Sequence, residues 1–209
     1  FLADRARAIK PSPSMAAKTR VDQLRAEGRD IIDFTVGEPD LPTPAHIVQA
    51  GIDTLNSGDI RYTASAGAKP LLQAVRAKFQ RENGLDYGLD ELIVGVGAKQ
   101  LIFTALAATV QAGDEVIIPA PYWVSYPDMV LVNDGTPVVV ACPEADGFKL
   151  TPQALEAAIT PRTKWVLLNT PSNPTGAMYG ADELRALGEV LARHPQVWLM
   201  TDEIYEHLA

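Results

Sequence analysis

Two small residues, Gly97 and Ala98, stand between an apolar run at 92–96 and a helical pattern at 99–111. Small side chains let the backbone amides of a helix N-terminus approach a ligand closely, and the helix dipole adds roughly half a positive charge there. This combination favours a phosphate group. An ordinary tight turn explains the same two residues equally well.

Asn173 lies between Pro171 and Pro174, in a segment that follows the apolar run 164–169 and ends at Gly176. The prolines restrict the backbone, so the side-chain amide of Asn173 offers a donor and an acceptor from a rigid frame. The alternative is a purely structural turn in which Asn precedes Pro.

Asp202 follows the apolar run 197–201, where a carboxylate is costly to bury unless it meets a suitable partner. A protonated heterocyclic nitrogen is such a partner, and Tyr205, three residues later, would reach the same ligand. The alternative is that Asp202 caps the next helix. Trp123 follows the run 115–118 and offers a flat face for stacking, although tryptophan in the core is the commoner case.

Short apolar runs alternate with helical patterns over most of the chain, which predicts an α/β fold with a largely parallel sheet. Ligands of such sheets bind at the carboxyl ends of the strands, so the four features would meet at one edge. Together they provide a phosphate-binding helix N-terminus, an aromatic ring for stacking, a hydrogen-bonding amide and a carboxylate. These groups complement the phosphate, ring, oxygen and ring nitrogen of pyridoxal 5′-phosphate (PLP). The predicted strands cover 31–36, 92–96, 115–118, 137–141, 164–169 and 197–201, and the predicted helices cover 15–27, 44–56, 70–83, 99–111, 122–133, 152–159 and 181–193.

The composition is that of a globular protein, since 47% of the 209 residues are hydrophobic and 21% are charged. The net charge of −8 disfavours nucleic acid as a partner. No apolar run approaches the ~18 residues of a membrane span, and no signal-like segment opens the chain, so we expect a cytoplasmic protein without a membrane partner. One cysteine and three histidines make a disulfide framework or a metal site unexpected.

The sequence resembles the class I aminotransferases of PLP fold type I, and most closely their bacterial aspartate/prephenate branch. The motifs that carry the resemblance are Gly37-Glu38-Pro39-Asp40, Tyr62 before Gly67, Val96-Gly97-Ala98-Lys99-Gln100, Pro121-Tyr122-Trp123-Val124-Ser125-Tyr126-Pro127, Asn173-Pro174-Thr175-Gly176 and Asp202-Glu203-Ile204-Tyr205. The resemblance implies a three-layer α/β/α large domain with a mostly parallel sheet, truncated at its C-terminus. It assigns 1–36 to an N-terminal arm and part of a small domain, and 37–209 to the front part of the PLP-binding large domain.

The resemblance also implies how the cofactor is held. Backbone amides of Gly97, Ala98 and Lys99 would bind the phosphate, and Trp123 would stack on the ring. Tyr62 would reach the phosphate of the neighbouring subunit, which implies a homodimer with shared active sites.

The remaining roles concern the reacting groups. Asn173 and Tyr205 would hydrogen-bond the phenolic oxygen of the cofactor, and Asp202 would keep its ring nitrogen protonated, so Asp202 and Tyr205 are the expected catalytic residues. Gly37 and Asn173 would contact the α-carboxylate of the substrate, with Trp123 also in the substrate site.

The implied reaction is transamination between an amino acid and a 2-oxo acid. Lys99 would meet the distal carboxylate of a dicarboxylic substrate such as aspartate, although a solvated surface lysine is the alternative. The family's Schiff-base lysine lies beyond the Asp202 motif, and no lysine follows Asp202 here, so we expect this chain to be part of a longer protein. Carbon–sulfur β-lyases, aromatic and kynurenine aminotransferases, cyclopropane-forming synthases and non-catalytic PLP-binding sensor domains carry the same motifs and remain alternatives.

Overall fold

The structure is a computed structural model that describes residues 1–9, 13–35, 37 and 41–208. The chain divides into two compact units. The sheet unit comprises Phe1–Ser12 and Gly97–Ala209, and the helical unit comprises Pro13–Val96. Among the described residues, no helix combines the length and the apolar character that crossing a membrane requires.

The sheet unit contains a four-stranded sheet in which every pair of neighbouring strands is parallel, in the order β2-β1-β3-β4. This confirms the predicted parallel α/β architecture. The elements of this unit are α1 (Asp4–Ala8), α5 (Ala98–Thr109), β1 (Glu115–Ala120), α6 (Ser125–Val132), β2 (Thr136–Ala141), α7 (Pro152–Ala158), β3 (Thr163–Asn169), α8 (Ala181–Leu191) and β4 (Trp198–Asp202).

Two hydrophobic clusters cover the two faces of the sheet. Side chains of a strand alternate between faces, so Val116 and Leu167 join one cluster while Ile117 and Val166 join the other. Buried residues of α5 and α6 complete the first cluster, and buried residues of α7 and α8 complete the second. The sheet therefore lies between two helical layers, which is the predicted three-layer arrangement.

A buried carboxylate that pairs with a more exposed arginine occupies the amino-terminal edge of the sheet. Glu115 is only 6% exposed; its carboxylate accepts a hydrogen bond of 2.6 Å from Thr160 Oγ1 and one of 2.8 Å from Arg162 Nε. The bond from Thr160, helped by Arg162, holds the pKa of Glu115 below its usual value despite burial. Lys164 and Asp114 pair beside it at 2.8 Å. These charges satisfy one another and tie β1 to the start of β3.

The helical unit contains α2 (Pro13–Ala26), α3 (Ala45–Ser57) and α4 (Lys69–Lys78), and α4 continues into a π-helical turn at Phe79–Asn83. These bounds confirm the three helices predicted here. α3 ends at Gly58, whose φ of +67° is the left-handed conformation that glycine adopts without strain.

Two predicted strands of this unit are wrong. Residues 31–35 and 92–96 are extended but irregular, and the described part of the helical unit holds no strand. A short apolar run becomes a strand only where a neighbouring strand supplies its hydrogen bonds. Phe34 is 90% exposed, and in the 92–96 segment the backbone N–H of Val94 donates to Ala66 O of a neighbouring loop at 2.8 Å. Val36 lies outside the described residues.

Candidate functional site

The carboxyl edge of the sheet unites the polar residues that end two neighbouring strands. Asn169 ends β3, Asp202 ends β4, and the two are register partners in the parallel ladder. β1 ends beside them at Ala120 and continues into the aromatic segment 121–126. The strand order therefore brings three of the four predicted features to one edge, because β3 lies between β1 and β4.

The Asp202 carboxylate is buried and accepts hydrogen bonds on both oxygens. The Tyr126 hydroxyl donates to Oδ2 at 2.7 Å, and the backbone N–H of Ile204 donates to Oδ1 at 3.3 Å. Burial, followed by the effect of the Asp202 carboxylate, raises the pKa of Tyr126 above its usual 10.0, so the phenol stays protonated as a donor. Among the described residues, the partner of Asp202 is thus a neutral hydroxyl, and Asp202 also caps the turn that follows β4.

Asn173 and Tyr205 meet at the same edge. The side-chain Nδ2 of Asn173 lies 3.4 Å from Tyr205 Oη, at the long end of the hydrogen-bond range. The backbone N–H of Asn173 donates to Asn169 Oδ1 at 2.7 Å, and Asn169 Nδ2 donates to the backbone oxygen of Asp202 at 2.8 Å. One side-chain amide therefore links the loop that carries Asn173 to the strand that ends in Asp202.

Trp123 lies in the connection between β1 and α6, because α6 begins at Ser125 rather than at the predicted residue 122. Its ring meets Tyr126 edge to face, with centroids 5.3 Å apart and planes at 84°. Lys99 Nζ lies 4.8 Å from the centroid of the Trp123 ring, within the range of a cation–π contact. Trp123 packs against the first hydrophobic cluster while remaining half-buried, so the core contact of the alternative interpretation is present and part of the residue stays exposed.

Gly97 is the N-cap of α5 and adopts a φ of +108°. A side chain at this position would have open space, but L residues rarely adopt this backbone conformation. The helix ladder starts with the bond from Leu101 N to Gly97 O, and the amides of the first turn point out of the helix end, as in every α-helix. The contact between Lys99 and Trp123 places this helix end beside the aromatic segment.

Two predicted site residues belong to the helical unit. Gly37 and Tyr62 are both exposed there, and the structure does not join them to the residues described above. Three residues of the Gly37 motif, Glu38, Pro39 and Asp40, lie outside the described residues. Within the described ranges, no group of three or more His, Cys, Asp or Glu side chains is arranged to hold a metal ion.

Consecutive contacts connect five predicted site residues of the sheet unit through two further residues. They run from Lys99 to Trp123, Tyr126, Asp202, Asn169, Asn173 and Tyr205. The sequence analysis assigned no role to Tyr126 or Asn169. Asn169 carries the signal that identified Asp202, a polar residue at the end of an apolar strand, whereas Tyr126 carries none beyond its aromatic neighbours.

Comparisons with known proteins agree on one family. A family model described as aminotransferase class I and II matches residues 29–209. An aspartate/prephenate aminotransferase of Cereibacter sphaeroides is 55% identical over 208 residues, which are 100% of this chain and 52% of the relative. An aspartate aminotransferase of Rhizobium meliloti is 52% identical over 206 residues, which are 99% of this chain and 50% of the relative.

Solved structures give the same result. The aspartate aminotransferase of Rhizobium meliloti matches with a TM-score of 0.96 and 51% identity, over 99% of this chain and 52% of that one. The aspartate aminotransferase of Thermus thermophilus with maleate matches with a TM-score of 0.94 and 43% identity, over 100% of this chain and 54% of that one. The chain therefore spans about half the length of the relatives that it matches.

Proposed function

Because the chain belongs to the class I and II aminotransferase family, we propose that it is the front part of a PLP-dependent aminotransferase. The reaction is the transfer of an amino group between an amino acid and a 2-oxo acid, with aspartate or another dicarboxylic amino acid as donor. In this proposal residues 1–36 form an N-terminal arm and part of a small domain, and 37–209 begin the cofactor-binding large domain. The names of the similar proteins and the contacts at the carboxyl edge support it.

The donor set at the carboxyl edge fits PLP in its chemistry. The cofactor has a basic ring nitrogen, a phenolic oxygen, a flat ring and a phosphate. The sheet unit offers a buried carboxylate at Asp202, hydrogen-bonding groups at Asn173 and Tyr205, an indole at Trp123 and a helix N-terminus at Gly97. When bound, PLP supplies an aldehyde carbon that links to an amino group and a ring that takes up electron density.

Asp202 carries the central electrostatic role in this proposal. Its carboxylate would hold a proton at the ring nitrogen of the cofactor, because a negative charge in a poorly solvated site strongly favours a cation beside it. Tyr126 contributes by donating to Oδ2, which stabilises the negative charge of Asp202 and fixes the orientation of its carboxyl group. This buried pair is the observation that carries the proposed function.

The other residues bind and orient. Asn173 and Tyr205 would donate to the phenolic oxygen, and their 3.4 Å separation lets one acceptor meet both. The first amides of α5, at Ala98 and Lys99, would bind the phosphate with the help of the helix dipole. Trp123 would contact the cofactor ring and the substrate.

Substrate recognition and assembly follow from the family resemblance. The ammonium group of Lys99 would meet the distal carboxylate of the substrate, while Gly37 and Asn173 would contact its α-carboxylate. Tyr62, which is exposed within the helical unit, would reach the phosphate of a partner subunit, so the proposal includes a homodimer with shared sites. We assign this dimer to the cytoplasm, in keeping with the composition.

The test is a denaturing intact mass of the purified protein after borohydride reduction, which fixes PLP to the lysine that holds it. A mass well above 22.5 kDa with one pyridoxyl adduct is expected, together with activity on aspartate and 2-oxoglutarate. A longer protein that carries no adduct and shows no transamination would contradict the proposal.

A further inference from the structure

The side chain of Asn169 is bonded at both of its polar ends. Nδ2 donates to the backbone oxygen of Asp202 at 2.8 Å, and Oδ1 accepts from the backbone N–H of Asn173 at 2.7 Å. Both lengths are those of well-formed N–H···O bonds. One partner is an acceptor and the other a donor, and the side-chain amide satisfies both at once because it carries a donor and an acceptor on separate atoms.

The bond to Asp202 acts on the backbone from which the carboxylate projects. The Asp202 carbonyl also accepts a bond of 3.2 Å from Thr170 N–H, so two donors at the end of β3 hold the last residue of β4. Tyr126 holds the other end of the same residue, at its carboxylate. The position of Asp202 is therefore set from its main chain as well as from its side chain.

The bond to Asn173 acts on a loop outside the sheet ladder. Residues 170–176 contain no helix or strand. Beyond the bond from Thr170 N to Asp202 O, backbone bonds run from Ser172 N to Ala177 O and from Gly176 N to Ser172 O. The bond to Asn169 is the one that ties Asn173 itself to β3. The Asn173 side chain then reaches Tyr205.

We propose that Asn169 is a positioning residue, which fixes the distance between the group that meets the cofactor's ring nitrogen, Asp202, and the pair that meets its phenolic oxygen, Asn173 and Tyr205. The inference rests on the proposed function, because it concerns how the site holds PLP. In this proposal Asn169 acts through Asp202 and Asn173, because both of its polar ends are bonded to the protein.

The experiment compares Asn169→Leu with Asn133→Leu in the full-length protein. Asn133 is a matched control, because its Nδ2 donates to the backbone oxygen of Met129 at 2.8 Å on α6, away from the site edge. Each variant loses bonds between a side-chain amide and the backbone, so both should lower the midpoint of thermal unfolding. Asn169→Asp is the second variant. It keeps an acceptor for Asn173, loses the donor to Asp202 and adds a negative charge.

The readouts are the dissociation constant of PLP for the apoprotein and the ¹⁵N chemical shift of the ring nitrogen in labelled PLP. We expect Asn169→Leu to weaken PLP binding about tenfold and to move the ¹⁵N signal toward that of the unprotonated ring. Asn169→Asp should weaken binding less, and Asn133→Leu should leave both readouts at wild-type values. The Asp variant decides the matter if the Leu variant does not fold.

Two results would count against the inference in different ways. Wild-type PLP affinity and an unchanged ¹⁵N shift in the folded Asn169 variants would overturn the inference. A lower melting temperature without these changes would show that Asn169 only stabilises the fold. Wild-type protein that binds no PLP would overturn the proposed function itself, and this inference with it.

Discussion

The Tyr126 hydroxyl donates a 2.7 Å hydrogen bond to the Asp202 carboxylate across 76 residues of sequence. Asp202 is 8% exposed and Tyr126 is 2% exposed. A carboxylate removed from water loses solvation that only nearby donors replace. The bond therefore joins α6 to the end of β4 and lets a negative charge persist at the edge where a cofactor would bind.

Substitution of Tyr126 by Phe removes this donor and keeps the ring packed against Trp123. We expect it to destabilise the protein by about 1.5–3 kcal/mol, because the lost bond is one to a charged group. Tyr179→Phe is the control, since the Tyr179 hydroxyl accepts a bond of 2.7 Å from the uncharged backbone N–H of Leu150. Calorimetric unfolding of the full-length variants should show the larger loss for Tyr126; equal losses would contradict the charge-assisted bond.

Asp202→Asn keeps an oxygen that accepts the Tyr126 bond and removes the negative charge. If Asp202 holds a proton at the ring nitrogen, turnover with aspartate and 2-oxoglutarate should fall by about 100-fold or more. Asp182→Asn removes the charge of an exposed carboxylate that pairs with Arg185, and it should leave turnover unchanged. Near-normal turnover of Asp202→Asn would show that the charge of Asp202 is not needed for catalysis.

Two glycines with open space at the Cβ position should respond oppositely to alanine. Gly97 has a φ of +108°, so Gly97→Ala should destabilise by about 1–3 kcal/mol and weaken PLP binding at the start of α5. Gly188 lies inside α8, where alanine is the better helix former, and Gly188→Ala should stabilise by about 0.5–1 kcal/mol. The midpoint of thermal unfolding should fall for Gly97→Ala and rise for Gly188→Ala. A higher midpoint for Gly97→Ala would contradict the predicted backbone strain.

The pKa of Glu115 lies below its usual value of 4.5, chiefly through the bond from Thr160. The unfolded state therefore binds the proton more readily than the folded state, and the stabilisation is present above about pH 4.5 and lost as the pH falls through the lowered pKa. Glu115→Gln should be less stable than wild type at neutral pH, and the difference should shrink on acidification. Thermal midpoints over a pH series test this; a constant difference would exclude the assignment to Glu115.

Lys99→Met removes the ammonium group and keeps a chain of similar length. If Lys99 meets the distal carboxylate of the substrate, KM for aspartate should rise about tenfold or more, while KM for alanine should change little. Lys149→Met is the control, because Lys149 pairs with Glu183 at 2.5 Å on the surface. Equal changes in KM for aspartate and alanine would show that the Lys99 ammonium group does not bind the distal carboxylate.

Local signals predicted much of this protein from its sequence. Turn residues and hydrophobic periodicity identified α2 to α8 and the strands β1 to β4 to within a few residues, whereas α1 was not predicted. Thr151 caps α7 by accepting from Ala154 N–H. Polar residues that follow apolar runs singled out Asn173 and Asp202 as candidates, and the structure brings both to the carboxyl edge of the sheet, as expected for parallel strands. These features depend on neighbours in the chain, and the sequence displays them directly.

Pairing between distant segments was decided only by the tertiary structure. The apolar runs at 31–35 and 92–96 resemble strands, yet the described part of the helical unit holds no strand with which they could pair. The bonds from Tyr126 and Asn169 to Asp202 exist because β3 lies between β1 and β4, an order that no local pattern encodes. Residue types and spacing determined the chemistry available to this protein, whereas strand order determined which groups meet, since hydrogen bonds across a sheet depend on spatial neighbours.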